Sequence, residues 1–434
     1  MERKFENFKR IIVTILVIAI VIACALLIKA AFTEKKTNPS EVDDPKPTTI
    51  PTVTPTPSKE IDVTMTNDYN TDIIKLFHAS ANKTNYLLSP YNIEIALNML
   101  RDGADGNTKT ELDKVLGNRT INNIIVKNKI SVANAIFIKN KFKNDVIDSY
   151  YNILKTKYNS DLIYDDFVTP NKINNWVNDK TSGMIKKVLD NISPDFVMGL
   201  ASALAIDVKW QSEFDCSLTN KQDFTKIDNK IIDAEMMHES YKYGAQYIKT
   251  EDATGIIIPY RKEWEENTEL EFVGILPNKD VDTYINGLTK DKLNNLFKNT
   301  KSASSSYHIN LSLPRFTYDY SEEEFKEILI KMGIKDAFTS SANFKKMINQ
   351  DVYVGTAIHK THIDLNEKGT KAAAITFFGL DGAMAIEEKY ETVNVIFNKP
   401  FVYMIRERNT GEILFFGTVY EPNIWNGNTC SEES

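Results

Sequence analysis

An apolar run near the N-terminus constrains this chain more than any other feature of its sequence. The 18 residues from Ile11 to Ile28 are interrupted only by Thr14, and four basic residues precede them within the first ten positions. Such a run approaches the roughly 20 residues that span a bilayer, and basic flanks tend to stay cytoplasmic. We therefore expect residues 1–10 to be a cytoplasmic basic segment, residues 11–32 to be a membrane anchor or signal segment, and the rest of the chain to lie outside the cell.

Two other interpretations of this run also export the rest of the chain. A cleaved signal peptide usually has an apolar core of roughly 7–15 residues, which is shorter than the run seen here. Val21 to Cys24 resembles a bacterial lipoprotein processing site, which would make Cys24 a lipidated first residue. Ala25 to Ile28 stays apolar after that cysteine, where a polar tether would be expected. The span length favours an uncleaved anchor.

A linker rich in proline and threonine follows the apolar run. Six of the 14 prolines of the chain lie between Thr37 and Ser58, and no core can form from such a sequence. Segments of this kind favour extended conformations and act as semi-rigid spacers. We expect residues 33–60 to be a linker, residues 61–425 to be one globular domain, and residues 426–434 to be a C-terminal tail.

Charge and cysteine usage exclude several classes of site. The formal net charge is -7, and there is no basic block beyond the first ten residues, which argues against nucleic acid as a partner. Of Cys24, Cys216 and Cys430, at most the last two could pair, and we expect both to be free thiols. His359 and His362 would point to opposite faces of a strand, so we expect no metal site and no cofactor.

The hydrophobic pattern predicts helices mainly in the first half of the chain and strands mainly in the second. Apolar residues that recur every three and four positions predict the helices Tyr69–Ala81, Ser89–Arg101, Val146–Thr156, Asn171–Lys180 and Glu322–Met332. Runs rich in β-branched and aromatic residues predict the strands Ser131–Ile138, Ala203–Val208, Gly255–Ile258, Glu271–Leu276, Tyr307–Leu313, Val352–Leu365, Thr392–Phe397, Phe401–Arg406 and Ile413–Tyr420. This segregation is typical of an α+β protein with large, mostly antiparallel sheets.

Short motifs between about Asn67 and Trp425 occur in an order that resembles the serpin family. They include Asn85–Pro90, Val132–Phe137, Ile173–Val177, Lys209–Trp210, Met236–Met237, Leu313–Phe316, Gly333–Ile334, His359–Lys360, Glu367–Thr370 and Asn398–Phe401. No single motif would suffice, but the ordered set is specific. The resemblance implies a serpin fold with three β-sheets, about nine helices and an exposed reactive-centre loop near the C-terminus.

The segment from Glu367 to Phe401 would contain the hinge and the bait of that loop. Alternate residues from Thr370 to Thr376 are small and would share one face of a strand, so they could enter a sheet that already has a core. The hinge residues are expected to be Glu367, Gly369, Thr370, Ala372, Ala373, Ala374 and Thr376. Phe377 and Phe378 are bulky for such a segment, and one of them would have to fit the core of the sheet.

The resemblance also implies a mechanism and a cleavage position. A serine protease that attacks the loop is acylated. Insertion of the cut loop as an added strand of the main sheet then deforms the catalytic site of the protease. The family spacing from Gly369 predicts cleavage between Ala383 and Met384, with Met384–Ala385 as the alternative. Small or unbranched apolar residues there suit elastase-like or subtilisin-like enzymes rather than trypsin-like ones.

A polar cluster under the main sheet, called the shutter in this family, is implied as well. Ser89 and His359 keep the residue types of the family, whereas Asn92 stands where it has a second serine and Ser202 where it has an asparagine. We interpret this as an exchange of hydrogen-bonding partners, because buried polar groups must be satisfied. Asn92 and Ser202 are then expected to share a hydrogen bond or a water.

Three functions compete at this point. The first is a monomeric suicide inhibitor of extracellular serine proteases, with cross-reactivity toward papain-like cysteine proteases, held at the cell membrane by its N-terminal anchor. The second is a non-inhibitory binding or carrier protein of the same fold, which would need charge or proline at the inward hinge positions; Lys371 points outward, so the hinge favours inhibition. The third is an enzyme, which no nucleophile elbow, zinc motif or phosphate loop supports.

Overall fold

The architecture was taken from a computed structural model, which describes residues 63–119, 121, 124, 130–262, 267–370 and 390–423. These residues all belong to the second of two compact units, Lys59–Ser434, and the first unit, Met1–Ser58, lies outside them. No helix within the described ranges combines the length and the apolar character of a membrane span. The predicted anchor at residues 11–32 and the lipidation candidate Cys24 lie outside the described residues.

Helices and strands are assigned as follows. The α-helices are α1 (Tyr69–Ala81), α2 (Pro90–Gly103), α3 (Gly106–Leu116), α4 (Asp148–Lys157), α5 (Asn171–Lys180), α6 (Val281–Asn286), α7 (Lys290–Lys298) and α8 (Phe325–Met332). The strands up to residue 277 are β1 (Tyr86–Leu88), β2 (Ile130–Lys139), β3 (Asp161–Asp165), β4 (Met198–Ile206), β5 (Val208–Lys209), β6 (Asn220–Thr225), β7 (Ile231–Tyr241), β8 (Gln246–Lys249), β9 (Ala253–Pro259) and β10 (Leu270–Pro277). The later strands are β11 (Thr300–Ser302), β12 (Tyr307–Pro314), β13 (Phe316–Ser321), β14 (Val354–Asn366), β15 (Gly369–Thr370), β16 (Glu391–Ile396), β17 (Phe401–Glu407) and β18 (Ile413–Val419).

The helices that open the domain begin at side chains that cap them. Asp68 accepts a hydrogen bond from the backbone N–H of Thr71 at the start of α1, and Ser89 accepts one from that of Asn92 at the start of α2. A short polar side chain at this position satisfies one of the amide groups that the first turn leaves without an intrahelical partner. Pro90 follows Ser89 at the first helical position, where its missing N–H costs nothing.

Three β-sheets organise the described residues, which confirms the predicted α+β serpin architecture. The core sheet has the order β1-β18-β17-β10-β9-β8-β11, and the small sheet has the order β16-β12-β7-β6. The main sheet has the order β3-β2-β4-β14-β15-β5, with β13 paired to the remaining edge of β14. β10 and β18 are buried along their whole lengths, which places the hydrophobic core around the core sheet.

The sequence predicted the long, strongly patterned elements and missed the short polar ones. α1 and α5 have the predicted bounds, whereas α3, α6 and α7 were not predicted. The predicted strand Ala203–Val208 is wrong in its extent, since β4 begins at Met198 and ends at Ile206 before β5 follows. β7 was missed because charged and polar residues interrupt it, and only its pairing with β6 and β12 makes it a strand.

Candidate functional site

The hinge of the predicted loop forms a two-residue strand inside the main sheet. In β15, Gly369 pairs with Asn366 of β14 on one side and with Lys209 of β5 on the other. Thr370 pairs with Leu365 and Val208 in the same way, and both pairings are antiparallel. The first residues of the loop therefore already occupy a central position between two strands of the main sheet.

Gly369 is required by the close approach of the neighbouring strand. Its φ is +153°, and a Cβ atom built at this position would lie 2.0 Å from the carbonyl oxygen of Val208 and 2.7 Å from Cα of Lys209. Those contacts are with backbone atoms, which cannot rotate away as a flexible side chain can. Only glycine allows the chain to turn from β14 into β15 while staying paired to β5.

Thr370 points into a fully buried site. Its Oγ1 lies 2.7 Å from the hydroxyl of Tyr260, and its side chain has no solvent exposure. The ring of Tyr260 is stacked on that of Trp210 with 4.6 Å between the ring centroids. Burial raises the pKa of Tyr260 far above its ordinary value, although the hydrogen bond with Thr370 works in the other direction. The pocket around Thr370 therefore accepts a small neutral side chain.

Trp210 holds the turn that connects β14 to β15. Its indole Nε1 donates to the carbonyl oxygen of Asn366 at 2.8 Å, and its backbone N–H donates to that of Lys368 at 3.0 Å. The indole is completely buried. A single residue following β5 thus fixes both ends of the turn through its side chain and its backbone, so the hinge is a defined structure.

Glu367, between the two residues held by Trp210, is the charged group of the hinge. Its Oε1 accepts a hydrogen bond from Thr219 Oγ1 at 2.6 Å, and its Oε2 lies 3.4 Å from Nε of Arg315. Its carbonyl oxygen accepts from the backbone N–H of Phe214 at 2.9 Å. Arg315 also pairs with Glu235 at 3.1 Å, so the guanidinium joins β7 to the hinge. A buried carboxylate with these partners fixes the direction in which the loop leaves β14.

Below the hinge the main sheet is closed. β14 pairs directly and in parallel with β4 from Val354↔Met198 to Thr361↔Leu204. At its C-terminal end, β14 is separated from β5 by β15. Along this stretch, by contrast, no strand lies between β14 and β4. Continued insertion of the loop would have to separate these pairs.

α5 covers the closed stretch on one face. Its side chains Ile173, Trp176 and Val177 belong to a second hydrophobic cluster with residues of β2, β4 and β14. The residues contributed by β2 and β4 are mostly alanines: Ala133, Ala135, Ala201 and Ala203. Small side chains on β2 and β4 let the helix lie close to the sheet and reduce the volume that an entering strand would have to displace.

On the opposite face, the structure brings Ser89 and His359 of the predicted shutter together. His359 Nε2 accepts a hydrogen bond from the backbone N–H of Ser89 at 3.1 Å, while Ser89 Oγ caps α2. Complete burial lowers the pKa of His359 to about 3, so the ring is neutral at physiological pH. Its Nε2 is then the acceptor, and Nδ1 is the nitrogen that holds the proton. This single bond ties the start of α2 to β14.

Of the two contacts expected between Asn92 and Ser202, a direct hydrogen bond or a shared water, the direct bond does not form, and the shared water stays a prediction. Asn92 Oδ1 instead accepts from Nδ2 of Asn134 at 2.6 Å, while Asn92 Nδ2 and Ser202 Oγ are buried with no protein partner. Asn134 lies on β2 and is the residue paired with Ser202 across β2 and β4. The longer amide of Asn134 spans the gap to α2 that the serine hydroxyl does not reach, which is the physical reason for the correction.

Several residues of the site were missed by reasoning from the sequence. Asn134 had a usable signal, since it is the one polar residue in the run Val132–Ile138. Trp210 also stood out, because it follows a strand directly. Thr219 and Tyr260 gave no signal, and Arg315 stood only within the motif Leu313–Phe316, with no role assigned to it. Each reaches the hinge from a different sheet or turn, and only the assembled fold brings them together.

The remaining predicted loop residues cannot be placed. Ala372, Ala373, Ala374 and Thr376 of the hinge, and the bond between Ala383 and Met384, lie outside the described residues. The loop rejoins the described fold at Tyr390, whose ring is stacked on His308 with 3.8 Å between the centroids. β16 then runs parallel to β12 in the small sheet. The two ends of the loop are therefore anchored in two different sheets.

One cysteine corrects the expectation of free thiols. Cys216 is disulfide-bonded, and it begins a short 3-10 turn that ends at Leu218. The expectation was wrong because three cysteines with no regular spacing give no sequence signal for pairing. Cys430 lies outside the described residues.

The comparisons with known proteins agree with this geometry. The family model described as Serpin (serine protease inhibitor) matches residues 64–422. Human neuroserpin is 28% identical over 392 residues, which cover 83% of this chain and 91% of neuroserpin. Bovine leukocyte elastase inhibitor is 27% identical over 364 residues, which cover 78% of this chain and 93% of that protein.

A solved structure shows the same fold. The thermophilic serpin tengpin in its native state is 31% identical in sequence and superposes with a TM-score of 0.70. The match covers 82% of this chain and 93% of tengpin. The family model, the relatives and the shared fold lead to one conclusion: the chain belongs to the serpin family.

Proposed function

We propose that this protein is a suicide inhibitor of serine proteases and that it works by inserting its cleaved loop into the main sheet. The observation that carries this proposal is the position of β15, which is seated between β14 and β5 while β14 and β4 remain paired below it. The loop has begun to enter the sheet, and the sheet is closed where the rest of the loop would go.

The gain from insertion follows from elementary energetics. A strand of about eight residues added to the centre of a sheet makes several backbone hydrogen bonds, each contributing roughly 1 kcal/mol net, and it buries apolar side chains as well. Before cleavage the loop is held at Gly369–Thr370 and at Tyr390, so it cannot lie fully within the main sheet. Cleavage frees the hinge side, and an acylated protease would be carried with it.

The target class rests on the sequence of the bait. The bond between Ala383 and Met384 has a small residue on its N-terminal side, which suits elastase-like or subtilisin-like proteases. The relative named leukocyte elastase inhibitor supports the same class. The buried neutral site around Thr370 also supports inhibition, because insertion of the loop requires a small uncharged side chain at this position.

Incubation with a panel of proteases tests the proposal. The full chain is mixed with subtilisin, pancreatic elastase, chymotrypsin, trypsin and papain, and the products are separated in denaturant. A denaturant-resistant complex with elastase or subtilisin, and a released fragment that begins at Met384, are the expected results. Cleavage within residues 371–389 without a complex by any of the five would leave the non-inhibitory carrier as the function.

We further propose that the domain is displayed outside the cell from an N-terminal membrane anchor at residues 11–32. The disulfide at Cys216 supports export, because structural disulfides persist in oxidising compartments. The protein expressed from its full sequence should remain with membranes after an alkaline wash and be digested by protease added to intact cells. Release of the Cys24→Ser variant from the membrane would favour lipidation, and release of the unchanged protein would favour a cleaved signal peptide.

A further inference from the structure

Asp161 is the point at which α5 is attached to the outer strands of the main sheet. Its Oδ2 accepts a hydrogen bond from Nε1 of Trp176 at 2.9 Å and pairs with Nζ of Lys180 at 2.8 Å, and both of these residues lie on α5. Its Oδ1 pairs with Nζ of Lys155 on α4 at 2.6 Å. One carboxylate thus ties two helices to the first residue of β3.

The side chain of Asp161 is held as an anion by these three partners. Burial by itself would raise its pKa, but the hydrogen bonds from Lys155, Lys180 and Trp176 outweigh burial and hold the pKa of Asp161 well below its ordinary value. The carboxylate and both lysines are nevertheless partly exposed. The attachment is therefore ionic at physiological pH, and dissolved salt can reach and weaken it.

Packing beneath this end of α5 is incomplete. A cleft of about 270 Å³ lies between the first half of β2 and the helix, and its lining includes Ser131, Ala133 and Trp176. β3 does not fill this cleft, because its pairing with β2 begins only at Ala135↔Asp161. Since an open cleft provides no van der Waals contacts, the ionic contacts of Asp161 supply attachment that packing does not.

α5 also lies across the strands that the loop must separate. The hydrophobic cluster under the helix includes Ala201 and Ala203 of β4 and Ile358 of β14, and these two strands pair directly in the closed stretch. A strand inserted between them would widen the sheet by about 4.8 Å. α5 cannot keep its contacts with both strands during such a movement, so it must lift or shift as the loop enters.

The segment that follows α5 is attached to the other side of the same strand pair. Asn174 of α5 accepts hydrogen bonds at Oδ1 from the backbone N–H groups of Val188 and Leu189. Lys360 of β14 donates its Nζ to the carbonyl oxygen of Lys187 at 2.5 Å. The helix is therefore fastened to β3 on one side and, through this segment, to β14 on the other. Separation of β4 from β14 pulls on both attachments.

We propose that Asp161 is a positioning residue that holds α5 down on the closed stretch of the main sheet, so that the strength of its ionic contacts sets how fast the cut loop can enter. Three charge-assisted hydrogen bonds meet at Asp161, and such bonds are stronger than neutral ones. The fastening of α5 does not depend on the proposed inhibitory function, whereas its effect on loop entry rests on that function.

Hydrogen exchange tests the fastening on the full, uncleaved protein. Asp161→Asn keeps the size of the side chain but removes its charge, and it should speed exchange at the amides of the C-terminal end of α5 by about tenfold. Asp190→Asn removes an exposed carboxylate paired with Lys187, and as the matched control it should leave these rates unchanged. Unchanged exchange at α5 in Asp161→Asn would refute the fastening.

Salt distinguishes an ionic fastening from a purely steric one. Raising sodium chloride from 0.1 M to 1 M shortens the Debye length from about 10 Å to about 3 Å, so exchange at this end of α5 should speed up by about threefold in the unchanged protein. Asp161→Asn should lose this dependence. Lys180→Met leaves Asp161 with Lys155 and Trp176 and should show an intermediate exchange rate, which tests the proposal even if Asp161→Asn does not fold. Equal salt dependence in Asp161→Asn, or Lys180→Met exchange equal to that of the unchanged protein, would overturn the ionic role.

The products formed with a protease test the effect on loop entry. The full chain is mixed with subtilisin or pancreatic elastase under conditions in which the unchanged protein yields both denaturant-resistant complex and cleaved product. The ratio of complex to cleaved product compares loop entry with hydrolysis of the acyl-enzyme, and it should rise by about threefold in Asp161→Asn and stay unchanged in Asp190→Asn.

The outcomes separate this proposal from the proposed function. An equal ratio in Asp161→Asn and the unchanged protein, together with faster exchange at α5, would limit Asp161 to a structural role and overturn the proposal. Absence of any complex between the unchanged protein and the five proteases of the panel would refute the proposed function and leave the exchange results standing.

Discussion

The two ends of β14 differ in what lies beside them, although they belong to one continuous strand. At its C-terminal end β14 is separated from β5 by the hinge strand, while from Val354 to Thr361 it pairs directly with β4. We call the first region the open end and the second the closed segment. The difference locates the barrier to loop insertion: the hinge is already seated, and the β4–β14 pairs must separate before more of the loop can enter.

The two regions are also held by different interactions. The open end is filled by the stacked rings of Trp210 and Tyr260 and by the ion pairs of Glu367. The closed segment depends on small packed side chains and on a sparse polar cluster in which several buried atoms lack a protein partner. A buried polar cluster costs free energy unless each of its members is paired, so substitutions within this cluster report on how firmly the closed segment is held.

The largest expected effect is that of a charge placed at the open end. Thr370→Arg would bury a guanidinium beside Tyr260 with no acidic partner, which costs about 3–5 kcal/mol. The yield of protease complex should fall by about 100-fold or more, with the protein cleaved as a substrate instead, as judged by the stoichiometry of inhibition. Thr317→Arg, the same substitution at an exposed position of β13, is the control. Unchanged inhibition by Thr370→Arg would refute insertion.

A second prediction tests whether the open end depends on its glycine. Gly369→Ala forces a Cβ atom against the carbonyl oxygen of Val208 and should lower the free energy of unfolding by about 3 kcal/mol. Gly355→Ala in the closed segment meets no atom closer than the carbonyl oxygen of Met198 at 3.6 Å, so it should change that free energy by less than about 1 kcal/mol. Denaturant titration measures both. Equal losses would show that the open end is not the tighter of the two regions.

The third prediction separates two neighbouring polar residues of the closed segment. Asn134→Leu keeps the side-chain volume but leaves the carbonyl of Asn92 without its donor, which should cost about 1–3 kcal/mol of stability. Ser202→Ala removes a hydroxyl that has no protein partner and should cost less than about 0.5 kcal/mol. Thermal unfolding of the two variants distinguishes them. A Ser202→Ala loss as large as that of Asn134→Leu would mean that the serine has the larger role in the cluster.

The fourth prediction is a pH dependence that originates in the closed segment. Burial lowers the pKa of His359 to about 3, whereas an unfolded histidine has a pKa of about 6.5. The contribution of His359 to stability is therefore complete above pH 6.5 and decreases by about 1.4 kcal/mol per pH unit as the pH falls toward 3, because the unfolded state binds the proton first. Denaturant titrations between pH 6.5 and 4.5 measure how the free energy of unfolding changes with pH. In His359→Gln the part of this change that comes from His359 should be absent. His362→Gln, at an exposed pairing with Asp319, is the matched control, and equal slopes for His359→Gln and the unchanged protein would contradict the assignment.

The elements that the sequence predicted well are those whose own pattern is sufficient. α1 buries nine of its 13 residues, and its apolar positions recur at helical spacing over the full length. α7 was missed because only Leu293 and Leu296 are buried among nine mostly polar residues. A pattern with three apolar positions, of which two are buried, is too short to distinguish a helix from a turn, so its structure is decided by what it packs against.

The candidate site shows the same division. Gly369 and Thr370 could be identified from the sequence, because a hinge that enters a sheet needs small residues at alternate positions. The neighbours that make the hinge specific, among them Tyr260 and Arg315, are distant in sequence and reach it from other sheets. Asn134, and not Ser202, bonds Asn92 directly, because the reach of a side chain across a sheet cannot be read from the sequence; a water shared by Asn92 and Ser202 stays a prediction.

The sequence by itself indicated the family, the order of the long, strongly patterned elements and the position expected for the hinge, because these depend on local composition and on the spacing of short motifs along the chain. Only the tertiary structure decided that the hinge is already seated, that the sheet below it is closed, and that Asn134 and not Ser202 reaches α2. These facts depend on strand register and on contacts between residues far apart in the chain, and a residue's own neighbours in sequence carry no information about either.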